Sequence, residues 1–134
     1  MQDKIEPRQI AAAYYTAWTA GDFDEMMKWV SDDVVCETPS GLLAGARSFR
    51  KFWVDFVTRS VKQVELIALF GDIDSAVILY SCDLACAADQ HVAELIRIRN
   101  GKISHSLMIY DRADVSSFLA GAAPRFQGAL TPAW

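Results

Sequence analysis

The sequence predicts an α+β domain in which helices pack on one face of a curved antiparallel sheet. Before Val61 the apolar side chains recur at the spacing of amphipathic helices, and after Val61 they alternate as in half-buried strands. Helices that precede a run of strands, rather than alternating with them, are typical of α+β proteins. The pair Asn100-Gly101 adds a strong hairpin signal between the last two strands.

Three helices are predicted in the N-terminal half. Residues 7–20 form the first, with Tyr14 and Trp18 on its apolar face. Asp22 is placed to cap a short second helix, because an acidic residue follows three positions later. The third helix begins at Ala46 and carries the clearest apolar stripe of the chain: Phe49, Phe52, Trp53, Phe56 and Val57.

Five strands are predicted from runs of β-branched and alternating residues. They span residues 34–38, 63–70, 76–85, 92–99 and 102–111. The tail that follows, residues 112–134, is apolar but broken by glycine and proline, and it is predicted to form a short helix and a draped segment.

Length and composition limit the classes of function. A chain of 134 residues with 52% hydrophobic residues is predicted to fold as a single domain, residues 1–134. The net charge of −4 argues against nucleic-acid and anionic-membrane partners, both of which need a basic patch. No apolar run is long enough for a membrane span, no signal peptide is recognisable, and three cysteines are typical of thiols in a reducing cytoplasm. No motif for a metal, nucleotide or other cofactor is recognisable.

Strand alternation predicts which side chains face the helices. Glu94 shares its face with Val92 and Ile96, and a four-residue loop at 87–90 would place Asp83 opposite Glu94. Two carboxyls on an apolar face disfavour each other's charged form, which raises the pKa of one and makes the pair a candidate proton donor. The alternative is that both carboxyls lie solvated at an open rim, and the sequence leaves both interpretations open.

Two segments carry a family resemblance. YYTAWTAGDFD (residues 14–24) and SDDVVCETPSG (residues 31–41) resemble the nuclear transport factor 2-like superfamily, within it the SnoaL-like and ketosteroid-isomerase-like branch, and the likeness covers residues 8–111. The resemblance implies a cone, in which a curved sheet wraps the helices around a deep apolar pocket, and it implies a homodimer.

The resemblance also implies roles for single residues. In ketosteroid isomerases a tyrosine on the first helix and an acid on the penultimate strand donate hydrogen bonds to an oxyanion, and these positions match Tyr14 and Glu94. The position of the proton-shuttling base, before Pro39, holds Thr38, whose hydroxyl cannot relay a carbon acid's proton. Asp83 is then the remaining inward carboxylate that can act as a base. Tyr14 has a second interpretation, as a core aromatic whose hydroxyl meets a backbone carbonyl.

A ligand-binding set is predicted from the same faces. Its members are Trp18, Thr38, Phe52, Trp53, Phe56, Leu79, Ser81, Ile96, Ser106, Met108 and Tyr110. Two functions stay open for this pocket. One is a cofactor-free isomerase, cyclase or dehydratase acting on a small apolar carbonyl compound. The other is a non-catalytic module that binds a hydrophobic molecule or serves for dimerisation.

A homodimer is predicted from the opposite face of the last strand. Ile103, Leu107 and Ile109 alternate with the inward residues there, and no predicted helix is left to cover them. His105 shares that outer face and is predicted to lie at the interface. Glu37 points away from the pocket on the first strand, because it is the neighbour of Thr38.

Overall fold

The computed structural model describes residues 5–110, which form one six-stranded sheet and three helices. In chain order the elements are α1 (Pro7–Thr19), α2 (Phe23–Met27), β1 (Val30–Thr38), β2 (Gly41–Ala44), α3 (Ala46–Arg59), β3 (Val61–Gly71), β4 (Ser75–Leu84), β5 (Gln90–Arg99) and β6 (Lys102–Ile109). The predicted α+β class is confirmed. The predicted helix and tail at 112–134 lie outside the described residues. None of the described helices is long and apolar enough to cross a membrane.

The strands follow the order β2-β1-β6-β5-β4-β3, so the last strand lies in the middle of the sheet beside the first. All neighbours are antiparallel except β1 and β6, which run parallel. The sequence did not reveal β2, a four-residue strand that pairs with β1 across a tight turn. Register shifts interrupt the β1–β6, β3–β4 and β5–β6 pairings. Such irregularities increase local twist, in keeping with the curved, unclosed sheet.

The helix ends follow local rules. Pro7 occupies the first turn of α1, and the Glu6 backbone N–H donates to the Gln9 side chain at 3.0 Å. The predicted cap of α2 is confirmed, because the Asp22 carboxylate accepts a hydrogen bond from the Glu25 N–H at 3.1 Å. Both α1 and α3 pack on the inner face of the sheet, where the rings of Trp18 and Trp53 contact each other at a tilt of 32° with centroids 4.3 Å apart.

The predicted pairing of β4 with β5 is wrong in register. Ile78, not Asp83, lies opposite Glu94, and Cys82 pairs with Gln90. The chain reverses through a longer connection than expected, in which the Asp83 carboxylate accepts a hydrogen bond from the Asp89 N–H at 2.8 Å. Asp83 lies five positions after Ile78, and a shift by an odd number exchanges the two faces of the strand.

The consequence is a correction to three predicted site residues. The buried face of β4 consists of Ala76, Ile78, Tyr80, Cys82 and Leu84. Leu79, Ser81 and Asp83 alternate with these residues and therefore lie on the outer face of the sheet. The pocket-facing positions predicted for them are wrong.

The predicted apolar row on the outer face of β6 is also only partly correct. Ile103 is fully buried in the core, because the register of β5 against β6 shifts between Arg97 and Ile98. Ile109 is 49% exposed and Leu107 is half-buried. On the outer face of β6 the apolar row therefore consists of Leu107 and Ile109, which follow the register shift.

Candidate functional site

The candidate site is centred on Glu94, a carboxylic acid with no exposed surface. Its position on β5 turns the side chain toward the helices, as the alternation of the strand predicts. The Tyr14 hydroxyl, from α1, donates a hydrogen bond to Glu94 Oε2 at 2.8 Å. The Ser106 hydroxyl, from β6, donates to the same oxygen at 2.6 Å. Hydroxyls from α1 and from the neighbouring strand β6 therefore meet at one oxygen of the β5 carboxyl.

Burial gives this carboxyl an unusual acidity. Removal from water disfavours the charged form and raises the pKa of Glu94 from its ordinary 4.5 to about 7, while the hydrogen bonds from Ser106 and Tyr14 lower it. Both protonation states are consequently populated near neutral pH. A carboxyl whose pKa lies near the working pH can accept a proton and return it without a large free-energy penalty in either direction.

The hydroxyls of this site stay protonated. Burial raises the pKa of Tyr14 well above its usual value, and the Glu94 carboxylate and the hydrogen bond to it raise it further. Burial, followed by the charge of Glu94, raises the pKa of Cys36 to about 12, so this neighbour is a thiol. Glu94 is therefore the group in this set whose charge changes near pH 7.

Several polar atoms in the same core have no hydrogen-bond partner among the residues described. These atoms are Glu94 Oε1, the Tyr80 and Tyr110 hydroxyls, and the Nε1 atoms of Trp18 and Trp53. A buried polar atom without a partner costs roughly 1–3 kcal/mol, and native structures contain few of them. Of these atoms, Glu94 Oε1 is a buried acceptor on the acid itself, and the hydrogen bonds from the described residues leave it unused.

Tyr80 is a further candidate site residue, which the sequence pattern did not identify. It is fully buried on β4, and its ring contacts that of Trp18 with centroids 5.3 Å apart. The register predicted for β4 against β5 turned the opposite face of β4 toward the pocket, so Tyr80 was not among the predicted site residues. One signal was available: the face with Ile78 and Tyr80 carries no charged residue, whereas the face chosen ends at Asp83.

Thr38 is half-buried on the same side of β1 as the buried Val34 and Cys36. Its hydroxyl donates to the Gly41 carbonyl at 2.9 Å and accepts from the Ser40 N–H at 3.1 Å, so the turn into β2 uses it. Glu37 lies outside, where its carboxylate is 2.6 Å from Nε2 of His105.

The other predicted lining residues lie on the inner side. Trp18, Trp53, Phe56, Ile96, Ser106, Met108 and Tyr110 are buried in the core. Phe52 is half-buried and stacks on Phe56, with ring centroids 5.8 Å apart. The site is therefore an apolar, aromatic surround with a small number of convergent polar atoms, the usual character of a small-molecule site.

Metal-binding residues are not part of this arrangement. Over residues 5–110 no group of three or more His, Cys, Asp or Glu side chains is close enough to hold a metal ion.

Comparison with known proteins identifies the fold family. Residues 11–106 match the model of the SnoaL-like domain. The chain belongs to the SnoaL-like family. This family is part of the nuclear transport factor 2-like superfamily, so both the predicted family and the predicted fold are confirmed.

Solved structures resemble this SnoaL-like protein over most of its length. A protein from Kribbella flavida DSM 17836 is 28% identical with a TM-score of 0.79, over 88% of this chain and 97% of that one. A Sinorhizobium meliloti protein called a polyketide cyclase is 18% identical with a TM-score of 0.69, over 75% and 93%. A second Kribbella flavida protein, called a ketosteroid isomerase, is 17% identical with a TM-score of 0.66, over 78% and 76%. The two likenesses of lower identity show the fold alone. No curated protein matches the chain.

Proposed function

We propose that this SnoaL-like protein is a cofactor-independent enzyme that moves a proton on a small, mainly apolar carbonyl compound. The reaction is then an isomerisation, a cyclisation or a dehydration that begins at the carbon next to the carbonyl. One observation carries the proposal: Glu94 is fully buried, has a pKa of about 7, and receives both of its hydrogen bonds on Oε2.

The second carboxyl oxygen is the reactive one in this proposal. Oε1 has no partner within the described part of the chain, so it is available to a ligand. As a carboxylate, Glu94 accepts through Oε1 the proton of the C–H bond, and the electron pair of that bond moves into an enolate. Glu94 then returns the proton to the same or another carbon. Tyr14 and Ser106 act as positioning residues, because their bonds to Oε2 fix the orientation of the carboxyl.

The surroundings of the carboxyl support an apolar ligand. Trp18 and Trp53 provide aromatic surface next to Tyr14, which contacts the ring of Trp53 with centroids 6.2 Å apart. An apolar surround excludes water, and this strengthens the electrostatic interactions that act on a developing charge. The names of two structural neighbours, a ketosteroid isomerase and a polyketide cyclase, agree with a ketone as the ligand.

A second candidate function is a binding module without catalysis. Thr38 favours it, because the resemblance places the base of the ketosteroid isomerases at this position and a hydroxyl cannot replace a carboxylate there. In this case the same pocket holds a hydrophobic molecule, and Glu94 is a hydrogen-bonding group only.

Hydrogen exchange into a ketone separates the two functions. The protein is incubated in D2O with cyclohexanone or 2-tetralone, and the loss of the C–H signals next to the carbonyl is followed by NMR. We expect an exchange rate above the buffer rate that rises with pH through about 7, as Glu94 ionises. Glu94→Gln removes the base and should lose this rate.

The matched control is Asp83→Asn. It removes a carboxylate from the outer face of β4 and should leave the exchange rate unchanged. Binding of the ketones without exchange would support the module and contradict the enzyme. Equal rates in the Glu94→Gln variant and the unaltered protein would contradict the role of Glu94.

We propose in addition that two copies associate through the outer face of the sheet, and that the protein works in the cytoplasm. The first proposal is supported by the exposed side chains of Phe70 and Ile109, which flank the apolar outer face of β3 to β6. The second is supported by Cys36 and Cys82, two buried thiols that suit a reducing compartment.

A further inference from the structure

Two buried tyrosine hydroxyls have no role in the proton transfer described so far. Tyr80 is fully buried and Tyr110 is 6% exposed, yet neither hydroxyl has a hydrogen-bond partner in residues 5–110. The other two hydroxyls of the site are occupied, because Tyr14 and Ser106 direct their hydrogens to Glu94 Oε2. A hydroxyl carries one hydrogen, so neither of them can donate to a ligand while it donates to the carboxylate.

The topology brings the two tyrosines to the same side of Glu94. Tyr80 lies opposite Val92 in the β4–β5 pairing. Tyr110 follows Ile109, which lies opposite Ala93 on the other side of β5. The two rings therefore flank β5 two residues from Glu94, and all three side chains are on the buried face.

Electrostatics agrees with this placement. Burial raises the pKa of Tyr80 well above its usual value, and the charge of Glu94 raises it further, with a smaller contribution from Tyr110. Tyr80 therefore keeps its hydroxyl proton, and can donate it in a hydrogen bond, throughout the pH range in which Glu94 changes its charge. A ligand beside it is favoured if it offers an oxygen acceptor.

We propose that the Tyr80 and Tyr110 hydroxyls bind the carbonyl oxygen of the ligand and stabilise the negative charge that develops on it. This inference rests on the proposed function, since it takes Glu94 as the group that removes the neighbouring proton. It moves the oxyanion-binding role, which the resemblance implied for Tyr14 and Glu94, to two other tyrosines. The proton moves to Glu94 Oε1, and the charge of the enolate oxygen is shared by two O–H donors.

The carbonyl stretching frequency of a bound ketone tests the inference without relying on turnover. Cyclohexanone labelled with 13C at the carbonyl is bound to the protein at about pH 8.5, where Glu94 is ionised and cannot donate. Its infrared band is compared with that of the same ketone in an apolar solvent. Hydrogen bonds from Tyr80 and Tyr110 lower the frequency, so we expect Tyr80→Phe and Tyr110→Phe each to shift the band back toward the solvent value.

Affinity is the second measurement. Loss of one hydroxyl should weaken ketone binding by about three- to tenfold, the range for one neutral hydrogen bond. The matched control is Tyr15→Phe, because Tyr15 is a half-buried neighbour whose ring lies 5.8 Å from that of Tyr80. It should change neither the band nor the affinity, and circular dichroism checks that each variant is folded.

The outcomes are distinct. A band that moves in Tyr14→Phe but in neither of the other variants would return the role to Tyr14 and overturn the inference. An unchanged band in both Tyr80→Phe and Tyr110→Phe would mean that these hydroxyls hold internal water only, which also overturns it. In either case the exchange assay with Glu94→Gln still decides the proposed function by itself. A protein that does not bind the ketone at all overturns both.

Discussion

Replacing Glu94 by glutamine should make the stability of the protein much less dependent on pH. The native pKa of about 7 exceeds the ordinary value of 4.5, so the folded protein holds a proton that the unfolded chain releases as the pH rises. The stabilising contribution of Glu94 is therefore complete below about pH 4.5 and is lost as the pH rises through 7. Glutamine has nearly the same shape and does not titrate.

The magnitude follows from the gap between the two pKa values. One pH unit corresponds to 1.36 kcal/mol, so the interval from 4.5 to about 7 is worth about 3 kcal/mol. The free energy of unfolding of the unaltered protein, minus that of Glu94→Gln, should fall by about this amount between pH 4.5 and pH 8. The subtraction removes the contribution of groups that titrate alike in both proteins.

Urea unfolding followed by tryptophan fluorescence measures this difference at a series of pH values and one fixed protein concentration. Glutamine leaves a buried amide nitrogen in place of Oε1, which adds a constant offset without altering the dependence on pH. The slope is thus the quantity to compare. A difference that stays constant from pH 5 to pH 8 would refute the assignment of a raised pKa to Glu94 and weaken the case for proton transfer.

Three further outcomes are expected. Tyr14→Phe and Ser106→Ala should each raise the pKa of Glu94 above 7, because each removes a hydrogen-bond donor to the carboxylate. The pH midpoint of hydrogen exchange into the ketone measures this pKa, and an unchanged midpoint would contradict the two hydrogen bonds to Oε2. Ile109→Glu should dissociate the proposed dimer in sedimentation measurements, whereas a protein that is monomeric before substitution would contradict the dimer itself. Gly71→Ala should lower the free energy of unfolding in urea by about 1–3 kcal/mol, because the added Cβ would lie 2.7 Å from the Cβ of Arg8 where β3 meets α1. An unchanged free energy of unfolding would show that α1 can shift to make room for it.

The fold was accessible from the sequence because its signals are local. The apolar stripe of α3 and the alternation of β5 each report a buried face directly, and Asn100-Gly101 fixes the hairpin that joins β5 to β6. The short strand β2 has only four residues and is mostly exposed, so it carries no such pattern.

The register of β4 was not accessible in the same way. No strong turn signal lies between Leu84 and Gln90, and the reversal depends on Asp89 in a left-handed conformation and on the Asp83 side chain that accepts its N–H. Both features are products of the folded loop. An error in the length of this connection is enough to exchange the faces of β4, which is why Asp83 was expected in the pocket and Tyr80 was not.

The burial of Glu94 bears on the choice between an enzyme and a binding module. No cation pairs with this carboxyl in the part of the chain described, so its charged form is compensated by two hydroxyls alone. Above neutral pH the carboxyl lowers stability by about 3 kcal/mol relative to a group that does not ionise. A module that only binds a ligand would gain nothing from this loss of stability, because a glutamine at the same position offers both a hydrogen-bond donor and an acceptor without ionising. Proton transfer does need a group that changes its charge near pH 7, and among the hydroxyls, thiol and carboxyl gathered here Glu94 has that property.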